Sequence, residues 1–152
     1  MNINNIFKNS DIEAFKSRLE NINHDSQPKW GKMNASEMLA HLNVMFEMTY
    51  EDIHPKPNAL TKFLLKLLVK PLVTGTKPYG KSKRTASQFI ISGQREFDVE
   101  KDRLVNYIDH TYTLGPEYFE NKESHSFGKL SSQEWNNMFS KHIDHHFTQF
   151  GV

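Results

Sequence analysis

A chain of 152 residues with 19 basic and 18 acidic side chains is long enough to bury one core, and its balanced charge argues against wholesale binding to nucleic acid phosphates. It contains no cysteine, which excludes disulfides, thiolate nucleophiles and thiolate metal sites. The start, Met1-Asn-Ile-Asn-Asn-Ile-Phe-Lys8, lacks the apolar core of an export leader, and no run reaches the roughly 18 apolar residues of a spanning helix. The expectation is one cytoplasmic domain over 1–152, with neither nucleic acid nor membrane as partner.

Ser10-Asp-Ile-Glu13 opens a first helix, and Ile12, Phe15, Leu19 and Ile22 repeat at helical spacing to near Asn23. After a loop at 30–34, Asn34 and Glu37 form a capping box for a second helix that runs to about Tyr50. Its stripe is Met38, His41, Leu42, Met45 and Met48, so His41 points inward. Pro55 and Pro57 break the chain. Asn58 then caps a helix over 59–70, ended or kinked by Pro71 and Gly75. There Lys62, Lys66 and Lys70 lie one turn apart and the rest is nearly all apolar. This predicts a bundle helix or a homodimer interface with one wet edge, with a membrane-surface helix as the lesser alternative.

Residues 74–87 read as a basic loop. Lys81, Lys83 and Arg84 are its solvated tip or, less expected, a grip on an anionic substrate at a site mouth. The stretch 89–97 is ambiguous between extended chain and short helix. Asp98 caps a helix over 99–112 with Leu104, Tyr107, Ile108 and Thr111 on one face, and Gly115-Pro116 stops it. A loop through 124–130 leads to Ser131-Ser-Gln-Glu134, a second capping box, and to a last helix over 132–149. Without repeats or linkers, four or five helices make an all-α bundle.

The last helix carries the chemistry. At about 100° per residue, Trp135, Met138, Phe139, His142, His146 and Gln149 share one face, with His145 on its flank. Two imidazoles one turn apart can reach one metal ion, and a third ligand must come from elsewhere; His41 also faces inward. A lone inward histidine reads first as a hydrogen-bonded core residue. A His-x-x-x-His pair shifts that balance towards ligation, because burying two unpaired imidazoles is costly. Three neutral imidazoles with an open fourth position suit a divalent ion, Zn²⁺ or Ni²⁺ foremost. No Glu precedes His142 or His146 by one turn as a di-iron site needs, and Ile143 breaks a His-Glu-x-x-His zincin motif. No nucleophile elbow, phosphate loop or dinucleotide fingerprint is present. His24, His54, His110 and His125 read as surface residues.

Trp30-Gly-Lys-Met-Asn-Ala-Ser-Glu-Met-Leu-Ala-His-Leu42 resembles the first signature of the DUF1569 family. Phe127-Gly-Lys-Leu-Ser-Ser-Gln-Glu-Trp135 and Lys141-His-Ile-Asp-His-His-Phe-Thr-Gln-Phe-Gly151 resemble its later ones. The resemblance places the chain in the DinB/YfiT-like superfamily of metalloenzymes. It implies an up-down-down-up four-helix bundle with long connecting loops and a three-histidine metal site. The family pattern, one histidine on the second helix and His-x-x-x-His then x-x-Gln on the last, falls on His41, His142, His146 and Gln149. Superfamily members include thiol-dependent transferases and isomerases. The implied function is a metal-dependent thiol transferase or hydrolase acting on a small molecule, with a low-molecular-weight thiol as a candidate substrate. Trp30, Trp135, Phe139 and Met45 are candidates for its apolar pocket, with core packing as their plain alternative. Two rivals remain: a non-catalytic binder of metal or a small molecule, and metal-free structural histidines.

Overall fold

Apolar periodicity decides which helices share the core. The structure, a computed structural model, describes residues 3–83 and 85–152. Among these it forms α1 (Asn9–Leu19), α2 (Ala35–Tyr50), α3 (Ala59–Leu68), α4 (Lys70–Thr74), α5 (Phe97–Phe119) and α6 (Ser132–Phe150). A 3₁₀ turn at Ser87–Phe89 and a hairpin of β1 (Lys122–Ser124) and β2 (Gly128–Leu130) complete it. The domain is mostly helical as expected, and the chain read as a loop through 124–130 instead pairs with residues from 122 on in a small antiparallel hairpin, with Lys122 opposite Leu130. The core comes from α1, α2, α5 and α6, where Phe15, Leu19, Leu39, Phe46, Leu104, Ile108, Phe139 and Phe147 are all buried.

Both capping boxes form. Asn34 Oδ1 accepts from the Glu37 amide at 2.8 Å, and the Glu37 carboxylate accepts from the Asn34 amide at 2.9 Å. Ser131 and Glu134 repeat the exchange at 3.2 and 3.0 Å. Four orphan amides are thereby satisfied at the starts of the two helices that carry inward histidines. Fixing those starts fixes where the rings emerge further along each helix.

Below the histidines an aromatic stack fills the core. Phe139 lies parallel to Phe46 at 5.0 Å between ring centres and against Trp135 at 5.4 Å, with Phe119 edge-on to both. Truncation there removes buried area and leaves a void. Phe139→Ala should cost about 3–5 kcal/mol, measured by urea unfolding, with the metal content of the folded fraction unchanged.

A buried polar network joins α2 to α5. Asn43 Nδ2 donates to the backbone and carboxylate of Glu100, Arg103 donates to both Glu100 and Glu47, and His54 Nε2 donates to Glu47 at 2.7 Å. Each buried carboxylate is thus paired, as burial of charge requires. His54, expected on the surface, instead pins the α2–α3 connection to this network.

Three further element boundaries differ from the sequence reading. α1 ends at Leu19, with Ile22 still buried beyond its end. The helix expected over 59–70 breaks at Val69, where Pro71 can enter only the first turn of a new helix, α4. α3 is also no bundle helix, for none of its ten residues is buried. The ambiguous stretch after Gln88 is largely irregular chain. At Gly115 the backbone takes φ +72°, a left-handed value that glycine adopts freely, and α5 reverses there into a last turn begun by Pro116. No helix is long and apolar enough to cross a membrane among the described residues. Arg84 and the first two residues of the N-terminal stretch lie outside the described residues.

Candidate metal centre

One ring nitrogen from each of His41, His142 and His146 lies within 4.8 Å of the other two. α2 supplies the first, and α6 supplies the pair one turn apart, so helical periodicity and the α2–α6 packing together bring them to one point. His41 and His146 are buried, while His142 keeps part of its surface open. The open side of the cluster is therefore beside His142.

Backbone carbonyls determine which nitrogens face inward. His41 Nδ1 is 2.8 Å from the Phe89 carbonyl, which can only accept, so Nδ1 carries the proton and Nε2 presents a lone pair. On α6 the argument takes two steps. Gln149 Nε2 donates to the Trp30 carbonyl at 2.7 Å, which turns Gln149 Oε1 towards His146 Nδ1, also at 2.7 Å. His146 Nδ1 must then donate, and its Nε2 is left as a lone pair. His41 Nε2 lies 3.0 Å from His142 Nε2. Two imidazole lone pairs at that distance repel unless a proton or a cation lies between them.

Burial keeps these rings uncharged. Desolvation pushes His41 below the ordinary histidine value, with repulsion from His145 adding to it and the Phe89 hydrogen bond opposing. It pushes His142 far below, helped by repulsion from His146, His41 and His145. His146 goes down to about 3, chiefly by burial and then by repulsion from His41, against the Gln149 hydrogen bond. Two of these neutral imidazoles, His41 and His146, have their other nitrogen already engaged and are thereby pre-oriented as donors. All three donors are nitrogen, which suits a borderline divalent ion, and the cluster has no thiolate or carboxylate. The residues fit such an ion.

Gln149 and the loop at 29–31 depend on each other. The Lys29 amide donates to the Gln149 carbonyl at 2.7 Å, and Gly31 adopts φ +86°. A Cβ on Gly31 would meet Gln149 Nε2 at 2.5 Å, so only glycine lets the loop approach the amide that orients His146. The two segments that carry the strongest family resemblance thus touch at this amide. Gln149→Leu keeps the side-chain volume and removes both hydrogen bonds. We expect metal affinity to fall about 10–100-fold, read by competition with a chromophoric chelator, with helical content unchanged.

The walls differ from the sequence expectation. Trp135 and Phe139 lie in the aromatic stack of the core, and Met45 belongs to the same apolar cluster. Trp30 is half-buried at the rim, edge-on to His145 at 6.0 Å, with Lys81 Nζ 4.3 Å from its ring centre. His145 stands edge-on to His146 and to Tyr79, and burial lowers its pKa. Two wall residues carried no sequence signal. Phe89 packs 5.2 Å from His41 and 5.7 Å from His142, and Tyr79 packs 6.4 Å from His142. Burial raises the Tyr79 pKa, so its hydroxyl stays protonated.

Lys141, next to His142, holds this wall in place. Its buried Nζ donates to the Leu72 carbonyl at 2.8 Å and the Gly75 carbonyl at 2.5 Å, and lies 4.6 Å from the Tyr79 ring centre. Beyond Phe89, a cavity of about 110 Å³ is bordered by Ala40, Val44, Glu47, Gln88, Ile90 and Arg103, among others.

Fold and cluster together describe a mostly helical domain in which three histidines from two helices converge closely enough that they could hold a metal ion. Residues 7–151 match the DUF1569 family, described as a protein of unknown function, and the chain belongs to that family. No curated protein and no solved structure matches the chain.

Proposed function

We propose that this chain is a metal-dependent enzyme of the DinB-like type, a thiol-dependent transferase or hydrolase built on an up-down-down-up arrangement of α1, α2, α5 and α6. The carrying observation is the convergence of three neutral imidazoles, two of them oriented by carbonyls that leave Nε2 free. His41, His142 and His146 hold the ion, Zn²⁺ or Ni²⁺ foremost. A divalent ion so held would supply Lewis acidity, lowering the pKa of a bound water or thiol towards neutrality.

The chain's own residues do the rest. Phe89 and Tyr79 shield the cluster from water, which strengthens electrostatic interactions inside. Trp30 and His145 form the rim on which a small molecule would rest. His145, half-buried and neutral, is the imidazole placed to accept a proton from an incoming thiol. No acid joins the three rings among the described residues, so no carboxylate base stands beside them. That absence favours, as a second reading, a binder that sequesters metal or a small ligand without turnover.

A panel of low-molecular-weight thiols with electrophiles, run on metal-loaded and chelator-treated protein, separates the two. Metal-dependent product supports the enzyme. Tight binding without product supports the binder, and full activity in chelator-treated protein would falsify the mechanism.

A further inference from the structure

α3 is turned the wrong way for a helix of a free monomer. Its body-facing side carries Lys62, Leu65 and Val69, while Leu60, Phe63, Leu64, Leu67 and Leu68 point to solvent. Leu72 of α4 continues the outward patch, and these six side chains are between 46% and 70% exposed. At roughly 200 Å² for a side chain of this size, they leave on the order of 700 Å² of contiguous apolar surface open. Patches on monomeric proteins seldom exceed about 300–600 Å².

We infer that this face of α3 and α4 is covered by a second copy of the chain, with the two α3 helices packed antiparallel about a two-fold axis near Leu64. The area fits, because two such faces together bury on the order of 1,400 Å², within the range of stable interfaces. A two-fold contact needs one self-complementary patch and no other component. Leu60, Leu64, Leu67 and Phe63 supply it at helical spacing.

Charge bears on the choice between a second copy and a membrane surface. Between residues 53 and 95 the sequence has nine basic residues and no acid, leaving ten basic residues and all eighteen acids to the rest of the chain. An anionic bilayer would draw on free lysines flanking the stripe. Here Lys62 is tied to Glu123 at 2.6 Å and Lys70 to Glu134 at 2.8 Å, and of the three lysines only Lys66 is exposed. Ion pairs around an apolar centre make the rim of a protein interface.

Within each chain, the short helix at the end of this face is fastened to the helix of the candidate centre. α4 is fastened to α6 by Lys141 on Leu72 and Gly75 and by Asn137 Nδ2 on the Thr74 carbonyl at 2.8 Å. Tyr79 follows a few residues on.

Light scattering of the full chain after size exclusion provides the test, with the double variant Leu64→Lys, Leu67→Lys beside it. Wild type should be a dimer at micromolar concentration, and the variant a monomer with unchanged circular dichroism and metal content. Because the chain has no cysteine, Leu64→Cys should cross-link to a covalent dimer under mild oxidation, while Val99→Cys, also exposed, should not. A wild type that stays monomeric at 100 µM would overturn the proposal, as would a variant that stays dimeric. So would monomeric wild type that co-sediments with vesicles containing phosphatidylserine. These readouts do not depend on metal, so they fail or succeed independently of the proposed enzyme.

Discussion

His146→Ala and His142→Ala should each empty the centre: about one divalent ion per wild-type chain, and almost none per variant chain at submicromolar free metal. An outer partner such as Gln149 acts only by orienting a ligand and is worth roughly 10–100-fold in affinity. Removing a ligand outright must cost more, at least about 100-fold on the same scale. The fold should survive, because the buried core under the rings belongs to Phe46, Phe119, Trp135 and Phe139 rather than to the imidazoles. Stability supplies a second readout. A ligand present at 100 times its dissociation constant stabilises the folded state by about 2.7 kcal/mol, so chelation should lower the wild-type melting temperature and leave both variants unmoved. Elemental analysis of protein purified without a polyhistidine tag decides the matter. Equal metal content in wild type and variants would remove the ligand assignment.

His41→Ala belongs to the same experiment with a sharper expectation. His41 Nε2 and His142 Nε2 approach to 3.0 Å, and in the metal-free protein a proton on His142 Nε2 makes this a hydrogen bond that His41 accepts. In chelator, His41→Ala loses this bond and the one to Phe89 and leaves a void, so it should be destabilised about as much as an ordinary buried large-to-small change, about 2–5 kcal/mol. With metal present its deficit should widen, since only the wild type gains from binding.

The histidine pair was legible because it is local. A capping box, an unbroken run and two histidines four residues apart fix a face of α6 from the sequence alone. The aromatic wall was not legible for a related reason. A helical wheel gives the direction of a side chain and not its depth along the axis. Trp135 and Phe139 share the face of His142 and His146 but lie where Phe46 and Phe119 fill the space, so they became core. The true wall, Tyr79 and Phe89, comes from a loop and a three-residue 3₁₀ turn, both too short to show periodicity. Likewise the partners that orient the ligands are backbone carbonyls, Phe89 for His41 and Trp30 through Gln149 for His146. Every residue type has a carbonyl, so such partners leave no trace in composition or spacing. α3 shows a third limit. Its pattern announces an amphipathic helix, yet the side that meets the body carries Lys62, paired with Glu123, and Lys70 at the start of α4 pairs with Glu134, distant acids that a wheel does not show.

Acid should unfold the metal-free protein through these same rings. In the unfolded chain a histidine takes up its proton near pH 6.5, whereas in the folded protein burial holds His41 and His142 below that value and His146 at about 3. Between those limits the unfolded state binds more protons than the folded one, so stability rises with pH and falls as acid is added. Above about pH 6.5 the rings are neutral in both states and their contribution is flat. Each ring that stays neutral on folding adds a slope of about 1.4 kcal/mol per pH unit. Carboxylates also titrate in the lower part of the window, so the comparison must be with His142→Gln, His146→Gln, which removes two rings and leaves the acids. Urea unfolding in chelator at intervals from pH 7 to pH 4.5 should show a wild-type slope steeper by about two protons. Identical slopes would mean that the rings titrate in the folded state as they do in water, and neutral, pre-oriented imidazoles would no longer describe this cluster. Metal retention should follow the folded-state values instead. Because the rings resist protonation until well below 6.5, a loaded centre should hold its ion into mildly acidic buffer, and release it together with the loss of fold.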